Sequence, residues 1–212
     1  EALLARGEKV RVVGRSAEKL ERFVQKGAEG FTADLGDEAA LARAFAGATA
    51  VYLLIPPDPT SEHWREQQER QSDALAAALQ NAGATYAVTL SSVGADKAEK
   101  VGPVNGLHTL EEKLNRIAGL NVLHLRAGYF MENLLQYVGL IKTMGMLAGT
   151  LRSDLPIAMI ATRDIAAVAT ESLSKRDFSG KQTRELLGPR DVTMNEAATI
   201  IGNAIGRKLS YT

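Results

Sequence analysis

The residues of this chain best suited to chemistry stand in five short sets, each directly after an apolar, β-branched run. Gly14-Arg15-Ser16 comes first, with Lys19 one helical turn later. A guanidinium offers a planar fork of donors that fits a phosphate, whereas a carboxylate here would accept from a ribose hydroxyl. Arg15 and Lys19 therefore suit a phosphorylated ribose; the alternative is a pair of solvated cations at a helix start. In the second set, Ala33-Asp34-Leu35, the Asp34 carboxylate can accept from an adenine amino group or cap the helix that follows. The third, Leu54-Ile55-Pro56-Pro57, is apolar and uncharged, which suits the flat face of a nucleoside and equally suits a loop staple. The fourth, Ser91-Ser92-Val93-Gly94, puts small hydroxyls at a strand end, as either ligand contacts or ordinary punctuation. The fifth is the densest. Tyr129, Phe130 and Asn133 follow Leu123-His124-Leu125-Arg126-Ala127-Gly128, and the Ala-Gly pair permits close backbone approach to a ligand. Tyr129 and Phe130 fit a substrate-facing role or a core role at a junction. His124 lies inside the strand, where a hydrogen-bonded core histidine is the expectation.

Composition removes several other chemistries. The chain has 25 Lys and Arg against 25 Asp and Glu, so no net field draws it to nucleic acid or an anionic membrane. It has no cysteine, which excludes a disulfide framework, a thiolate metal site and a Cys nucleophile. His63, His108 and His124 are the only histidines, and none pairs with another at metal-ligand spacing, so no metal site is expected. The longest mostly apolar stretch, 51–57, is far short of a membrane span, and the expected location is the cytoplasm.

The elements that must position the five sets are legible from periodicity. Strands are expected at 9–14, 30–33, 50–55, 87–91 and 122–126, alternating with helices at 17–26, 37–46, 60–82 and 107–117. Ser16 is a natural cap for the first of these helices and Gly27 a stop behind it. Leu41 and Phe45 form the inward face of the second, and Leu107, Leu110, Leu114 and Ile117 that of the fourth. This alternation implies an α/β fold with a doubly wound parallel sheet, in which ligands gather at the carboxyl ends of the strands. A dinucleotide-binding domain is expected over 1–133. From 134 the pattern changes: 134–146 is apolar on several faces, as in a lid. A strand at 157–160, a helix from 163 to 173, a strand at 184–187 and a helix at 194–206 capped by Thr193 and Glu196 complete a smaller substrate lobe over 134–212, interleaved with the sheet. No G-x-G-x-x-G or G-x-x-x-x-G-K-[ST] run occurs in the chain. Residues 1–7 read as the back half of a helix, so a strand and a glycine turn are expected to stand before it, and the extended run begun at 210–212 is expected to continue.

Taken together, VRVVGRS, ADLGD, VYLLIPP, LSSVGA, LHTLEEKLN and LRAGYFMENLL resemble the NmrA-like branch of atypical short-chain dehydrogenases, which includes NAD(P)-binding quinone and azo reductases and redox-sensing regulators. The resemblance implies a Rossmann-like fold and NADP, in the reduced form NADPH, as cofactor. It implies Arg15 at the 2′-phosphate, Asp34 and Leu35 beside the adenine, Ile55 and Pro56 along the nucleotide, and Ser91 near the nicotinamide; Lys19, Leu54 and Ser92 are further expected cofactor contacts from their places at the strand ends. A small-molecule acceptor is the implied partner, and the helices at 60–82 and 107–117 are where a homodimer would form. The Tyr-x-x-x-Lys pair of typical short-chain dehydrogenases is absent: Tyr52, Tyr86, Tyr129, Tyr137 and Tyr211 each lack a lysine four residues on. Ala127 replaces a usual proline, and Leu107 stands where related reductases can carry a lysine. Hydride transfer to a quinone-like acceptor, with His108 or Tyr129 as a weak donor, is therefore the leading expectation. A non-catalytic NADP sensor and a remnant that no longer binds cofactor are the alternatives.

Overall fold

The computed structural model describes residues 1–58 and 61–212. The chain alternates strand and helix as expected: α1 (Ala2–Ala5), β1 (Arg11–Gly14), α2 (Ala17–Val24), β2 (Glu29–Thr32), α3 (Glu38–Phe45), β3 (Ala50–Leu53), α4 (Trp64–Ala82), β4 (Tyr86–Ser92), α5 (Val104–Asn115) and β5 (Asn121–Ala127). Then follow β6 (Tyr129–Phe130), a 3-10 helix (Met131–Tyr137), α6 (Val138–Met144), β7 (Met146–Leu147), β8 (Ile157–Ile160), α7 (Thr162–Lys175), β9 (Lys181–Leu186), β10 (Asp191–Val192), α8 (Met194–Ala204) and β11 (Ser210–Tyr211). Two compact units result: Glu1–Arg126 with Ala166–Arg184, and Ala127–Ile165 with Glu185–Thr212.

In the first unit β1 pairs in parallel with β2, from Arg11↔Glu29 to Gly14↔Thr32. A separate four-stranded sheet runs β3-β4-β5-β9, with β3 and β4 parallel from Ala50↔Tyr86. Arg11 ties β1 to its neighbours, donating to the Ala44 carbonyl at the end of α3 (2.6 Å) and pairing with Glu29 of β2 (2.9 Å). One apolar core, built on Leu41, Phe45, Leu53, Leu75, Leu79, Leu110, Leu114 and Val122, joins α3, α4, α5 and the strands. Removing each of these side chains from water is the main favourable term in holding the unit together. Lys181 seals the far end of α5 by donating to the carbonyls of Leu114, Ile117 and Leu120 at 3.3, 2.8 and 2.6 Å, where a cation also suits the negative end of the helix dipole.

Local signals and structure agree at most caps. Ser16 accepts from the Lys19 amide, and Thr193 and Glu196 form a complete capping box on α8. Gly83 closes α4 in the left-handed region at φ 65°, which costs glycine little. Several boundaries differ, among them the start of α5, which is Val104 rather than the expected 107. The expected start of the long helix at Thr60 lies outside the described residues, and the helix begins at Trp64. The strand expected at 184–187 begins at Lys181, because its polar side chains are exposed and only Leu186 is buried, which leaves little apolar alternation to read. The expected lid at 134–146 is a 3-10 helix followed by α6, which ends at Gly145 with φ 70°.

The second unit holds the parallel pair β6 and β8 (Tyr129↔Met159, Phe130↔Ile160), with β10 antiparallel on the other side of β8, and the parallel pair β7 and β11. Backbones approach closely here. A side chain on Gly128 would press on the Ala158 carbonyl oxygen, and one on Gly188 would overlap the Met159 carbonyl oxygen. Since backbone cannot swing aside as a side chain would, Gly188→Ala is expected to lower stability by about 1–3 kcal/mol, read as a lower urea midpoint with an unchanged m value.

Candidate functional site

At the end of β1 the structure leaves Arg15 and Lys19 exposed, with no side-chain partner among the described residues. They flank Ser16, whose hydroxyl accepts from the Lys19 amide at 3.4 Å, so two cations bracket the positive end of α2. At the end of β2, Asp34 is exposed. Its Oδ1 accepts from the Gly36 amide at 2.8 Å in a local turn, which leaves Oδ2 for another donor. The capping alternative for Asp34 is corrected: Asp37 caps α3, accepting from the Ala40 amide at 2.9 Å, and Asp34 stands three residues too early. Leu35 is half-buried against the core.

Sequence reasoning missed Arg70. Its Nε lies 2.9 Å from where a Cβ on Gly36 would stand, so the glycine lets a guanidinium from α4 lie over the second strand end. A lone arginine inside a helical pattern carries no signal of this; the Gly36 gap opposite it is the only trace. At the end of β3, Leu54 and Pro56 are exposed and Ile55 is buried in the core, so the apolar turn presents Leu54 and Pro56 outward.

The strand ends of β4 and β5 meet α5 through two polar rungs. Ser91 donates to Glu111 Oε1 at 2.5 Å, and Arg126 grips the same carboxylate with both arms, Nε to Oε1 at 3.1 Å and Nη2 to Oε2 at 2.6 Å. One turn along, Thr89 meets His124 Nδ1 at 2.8 Å, and His124 Nε2 meets Asn115 Oδ1 at 3.1 Å. An amide oxygen only accepts, so Nε2 carries the proton and Nδ1 accepts from Thr89. The spacing explains the ladder: Thr89 and Ser91 share one face of β4, His124 and Arg126 one face of β5, and Glu111 and Asn115 one face of α5. His124 is 1% exposed. Burial pushes its pKa down to about 4, with Glu111 opposing that shift and Arg126 adding to it. It is the core histidine expected from its place inside a strand. Ser91 is buried with its proton committed to Glu111, and the Ser92 hydroxyl donates to the Val93 carbonyl at 3.0 Å.

Sequence reasoning also missed Glu111 and Asn115. The signal was available: Glu111 falls four residues after Leu107 and three before Leu114, on the apolar face of the helix. His108 meets the Ala95 carbonyl at 2.8 Å through Nδ1. That nitrogen donates to the carbonyl, which leaves Nε2 as the ring atom outside this bond.

In the second unit Tyr129 and Phe130 are half-buried on β6 and Asn133 is exposed on the 3-10 helix. Glu132, between them, accepts from the Thr162 amide and from its hydroxyl at 2.7 Å, and these bonds hold its carboxyl below the usual carboxylate range. Burial raises the Tyr129 phenol, opposed by hydrogen bonds from Tyr137 and Gln136. Among the described residues no group of three or more His, Asp or Glu is placed to hold a metal ion, and no helix is long and apolar enough to cross a membrane.

Parallel strands alternating with helices, with charged and polar side chains at successive strand ends, define a Rossmann-like type of α/β protein. The whole chain, residues 1–212, matches the model of the NmrA-like family, and it belongs to that family. It is 29% identical over 208 residues to a (4-alkanoyl-5-oxo-2,5-dihydrofuran-3-yl)methyl phosphate reductase of Streptomyces griseus, covering 98% of this chain and 70% of the relative. It is 27% identical over 197 residues to an NAD(P)H azoreductase of Xenophilus azovorans, covering 93% of this chain and 65% of the relative. In fold it resembles the NADPH-dependent quinone oxidoreductase of Escherichia coli solved with NADPH, with a TM-score of 0.83, 23% identity, 99% of this chain and 72% of that one. The triphenylmethane reductase of Citrobacter sp. solved with NADP(H) gives a TM-score of 0.83 at 18% identity, covering 100% of this chain and 72% of that one.

Proposed function

We infer that this NmrA-like protein is an NAD(P)H-dependent oxidoreductase that takes NADPH in preference to NADH and reduces a quinone-like or similarly activated small acceptor. The observation that carries the cofactor reading is the exposed pair Arg15 and Lys19, without a side-chain partner among the described residues, around the capped start of α2 and next to the Asp34 carboxylate. When bound, the reduced nicotinamide supplies the hydride. The chain's own residues orient the nucleotide: Arg15 and Lys19 hold the 2′-phosphate, Asp34 Oδ2 accepts from the adenine, Leu35, Leu54 and Pro56 form its apolar side with Ile55 packed behind them in the core, and Ser91 and Ser92 mark the nicotinamide end. On this reading Tyr129, Phe130 and Asn133 contact the acceptor. The reductase relatives support the reaction class. An activated acceptor is favoured because no tyrosine has a lysine at the fourth position.

NADPH oxidation by the folded protein against a panel of quinones and azo dyes tests this reading, and absence of turnover with every acceptor sinks it. The same lack of a strong acid favours a second reading, a regulator that senses NADP without catalysis; calorimetric NADPH binding with no oxidation by any acceptor would select it. Failure to bind NADPH at all would select the remnant. Arg15→Ala is expected to weaken NADPH binding by about 10- to 100-fold, the range of a charge-assisted hydrogen bond, while leaving NADH affinity within about twofold. Calorimetry with the two nucleotides side by side reads the difference, and an equal loss for both would remove Arg15 from the 2′-phosphate.

A further inference from the structure

The turn after β2 holds a gap that its backbone does not explain. Gly36 lies outside the left-handed region, so no dihedral there calls for glycine. Space does. A Cβ at this position would stand 2.9 Å from Arg70 Nε and 3.2 Å from Asp34 Oδ1, so a guanidinium from α4 and a carboxylate from the end of β2 flank one missing side chain. A second contact holds α4 beside this turn: Asn81 donates at 2.9 Å to Oε1 of Glu38, in the first turn of α3.

The carboxylates nearest Arg70 on its own helix are matched elsewhere. Lys113 of α5 grips both Glu69 and Asp73 at 2.6 Å, and Glu66 lies 3.7 Å from His63 Nδ1. Among the described residues Arg70 makes no hydrogen bond or ion pair, and it is exposed beside an open groove of about 510 Å³ along α4. A solvated arginine needs no glycine opposite it. A guanidinium that must lie close over a strand end does.

We propose that Arg70 covers the adenine of the bound nucleotide, its guanidinium plane lying against the base whose amino group donates to Asp34 Oδ2. The proposal deepens the cofactor reading and rests on it. A guanidinium is planar, weakly hydrated and stacks on aromatic faces, whereas an ammonium has no plane to offer. The base is then met by a carboxylate at its edge and by a cation at its face, with Gly36 leaving the room between them. Adenine is common to both nucleotides, so Arg70 contributes equally to NADPH and NADH. Arg15, by contrast, acts only where a 2′-phosphate is present.

Calorimetry with NADPH and NADH on the wild type and three variants tests this. Arg70→Ala should weaken both nucleotides by one common factor, about 5- to 30-fold, the range of a cation–π contact from partly to fully desolvated. Arg70→Lys should lose nearly as much, since it keeps the charge and gives up the plane. Gly36→Ala should weaken both by about threefold or more with both charges still present, because its methyl group takes the place of Nε. Arg70 is exposed, so substitutions there spare the fold. In nitrogen-15-labelled protein the Arg70 Nε–H resonance, identified by its absence in Arg70→Lys, should move with ADP-ribose and stay in place with inorganic pyrophosphate. A loss confined to NADPH would assign Arg70 to the 2′-phosphate, full affinity in Arg70→Lys would reduce its role to charge, and a resonance moved equally by pyrophosphate would make it a phosphate contact. Each of these overturns the proposal, as do affinities within about twofold of wild type in Arg70→Ala. Failure of the wild-type protein to bind either nucleotide is a different result, which overturns the cofactor reading and this proposal with it.

Discussion

Arg126→Ala is expected to cost about 3–5 kcal/mol of folding stability, because it strands the Glu111 carboxylate as an uncompensated charge in the core. Glu111 is 4% exposed, and both of its oxygens are engaged by Arg126, with Oε1 shared with Ser91. The whole stability of a domain is only about 5–15 kcal/mol, so this one change takes the protein close to unfolding at room temperature. Replacing both partners with apolar residues, as in Glu111→Leu with Arg126→Met, should cost far less than the single change, since no charge is then left buried. Urea denaturation of the two variants beside the wild type reads the contrast. Equal midpoints for Arg126→Ala and wild type would mean that water solvates the carboxylate and that the pair does not anchor the strand ends to α5.

Acid should weaken the protein through His124 before carboxylate protonation takes over. Its folded pKa is about 4 against an ordinary value of 6.5, the largest cause being burial. A depressed folded pKa means that the unfolded chain binds the proton more readily. The stabilising contribution is therefore complete above pH 6.5 and is lost as the pH falls from 6.5 toward 4, about 3 kcal/mol in total. Structurally, a second ring proton on Nδ1 would face Thr89, whose hydroxyl now donates there. Urea midpoints at half-unit steps between pH 7.5 and 4.5 measure the slope. In His124→Gln the midpoint should start lower but stay nearly flat from pH 7 to 5.5, and an unchanged slope there would assign the acid sensitivity to another group.

Much of the architecture was legible because it depends on neighbours in sequence. Ser16 and the Thr193-Glu196 box act within four residues of the helix ends that they terminate, so type and spacing were enough. The apolar stripe Leu107, Leu110 and Leu114 likewise set the inner face of α5, and Ile117 packs on the same core just past the end of the helix. Where a signal was ambiguous, the ambiguity had a physical source: Asp34 and Asp37 are equally good caps by type, and only the actual start of α3 decides between them. Arg15 and Lys19 were readable as cations after a strand, and the structure adds that neither is consumed by a partner in the described chain.

The rest required contacts between residues far apart in sequence. Ser91 looked like a free hydroxyl at a strand end, yet its proton goes to Glu111, 20 residues on. His108 looked like a free side chain on a helix face, yet its Nδ1 already donates to the Ala95 carbonyl, 13 residues back. Arg70 and Gly36 have no relation that periodicity can express, because the contact is set by where separate elements cross. By itself the sequence determined the strand and helix rhythm, the family, and which side chains of suitable chemistry stand at each strand end. Tertiary structure alone decided which of those groups still have a hydrogen bond to offer, since a donor or acceptor is spent only when packing brings its partner within reach.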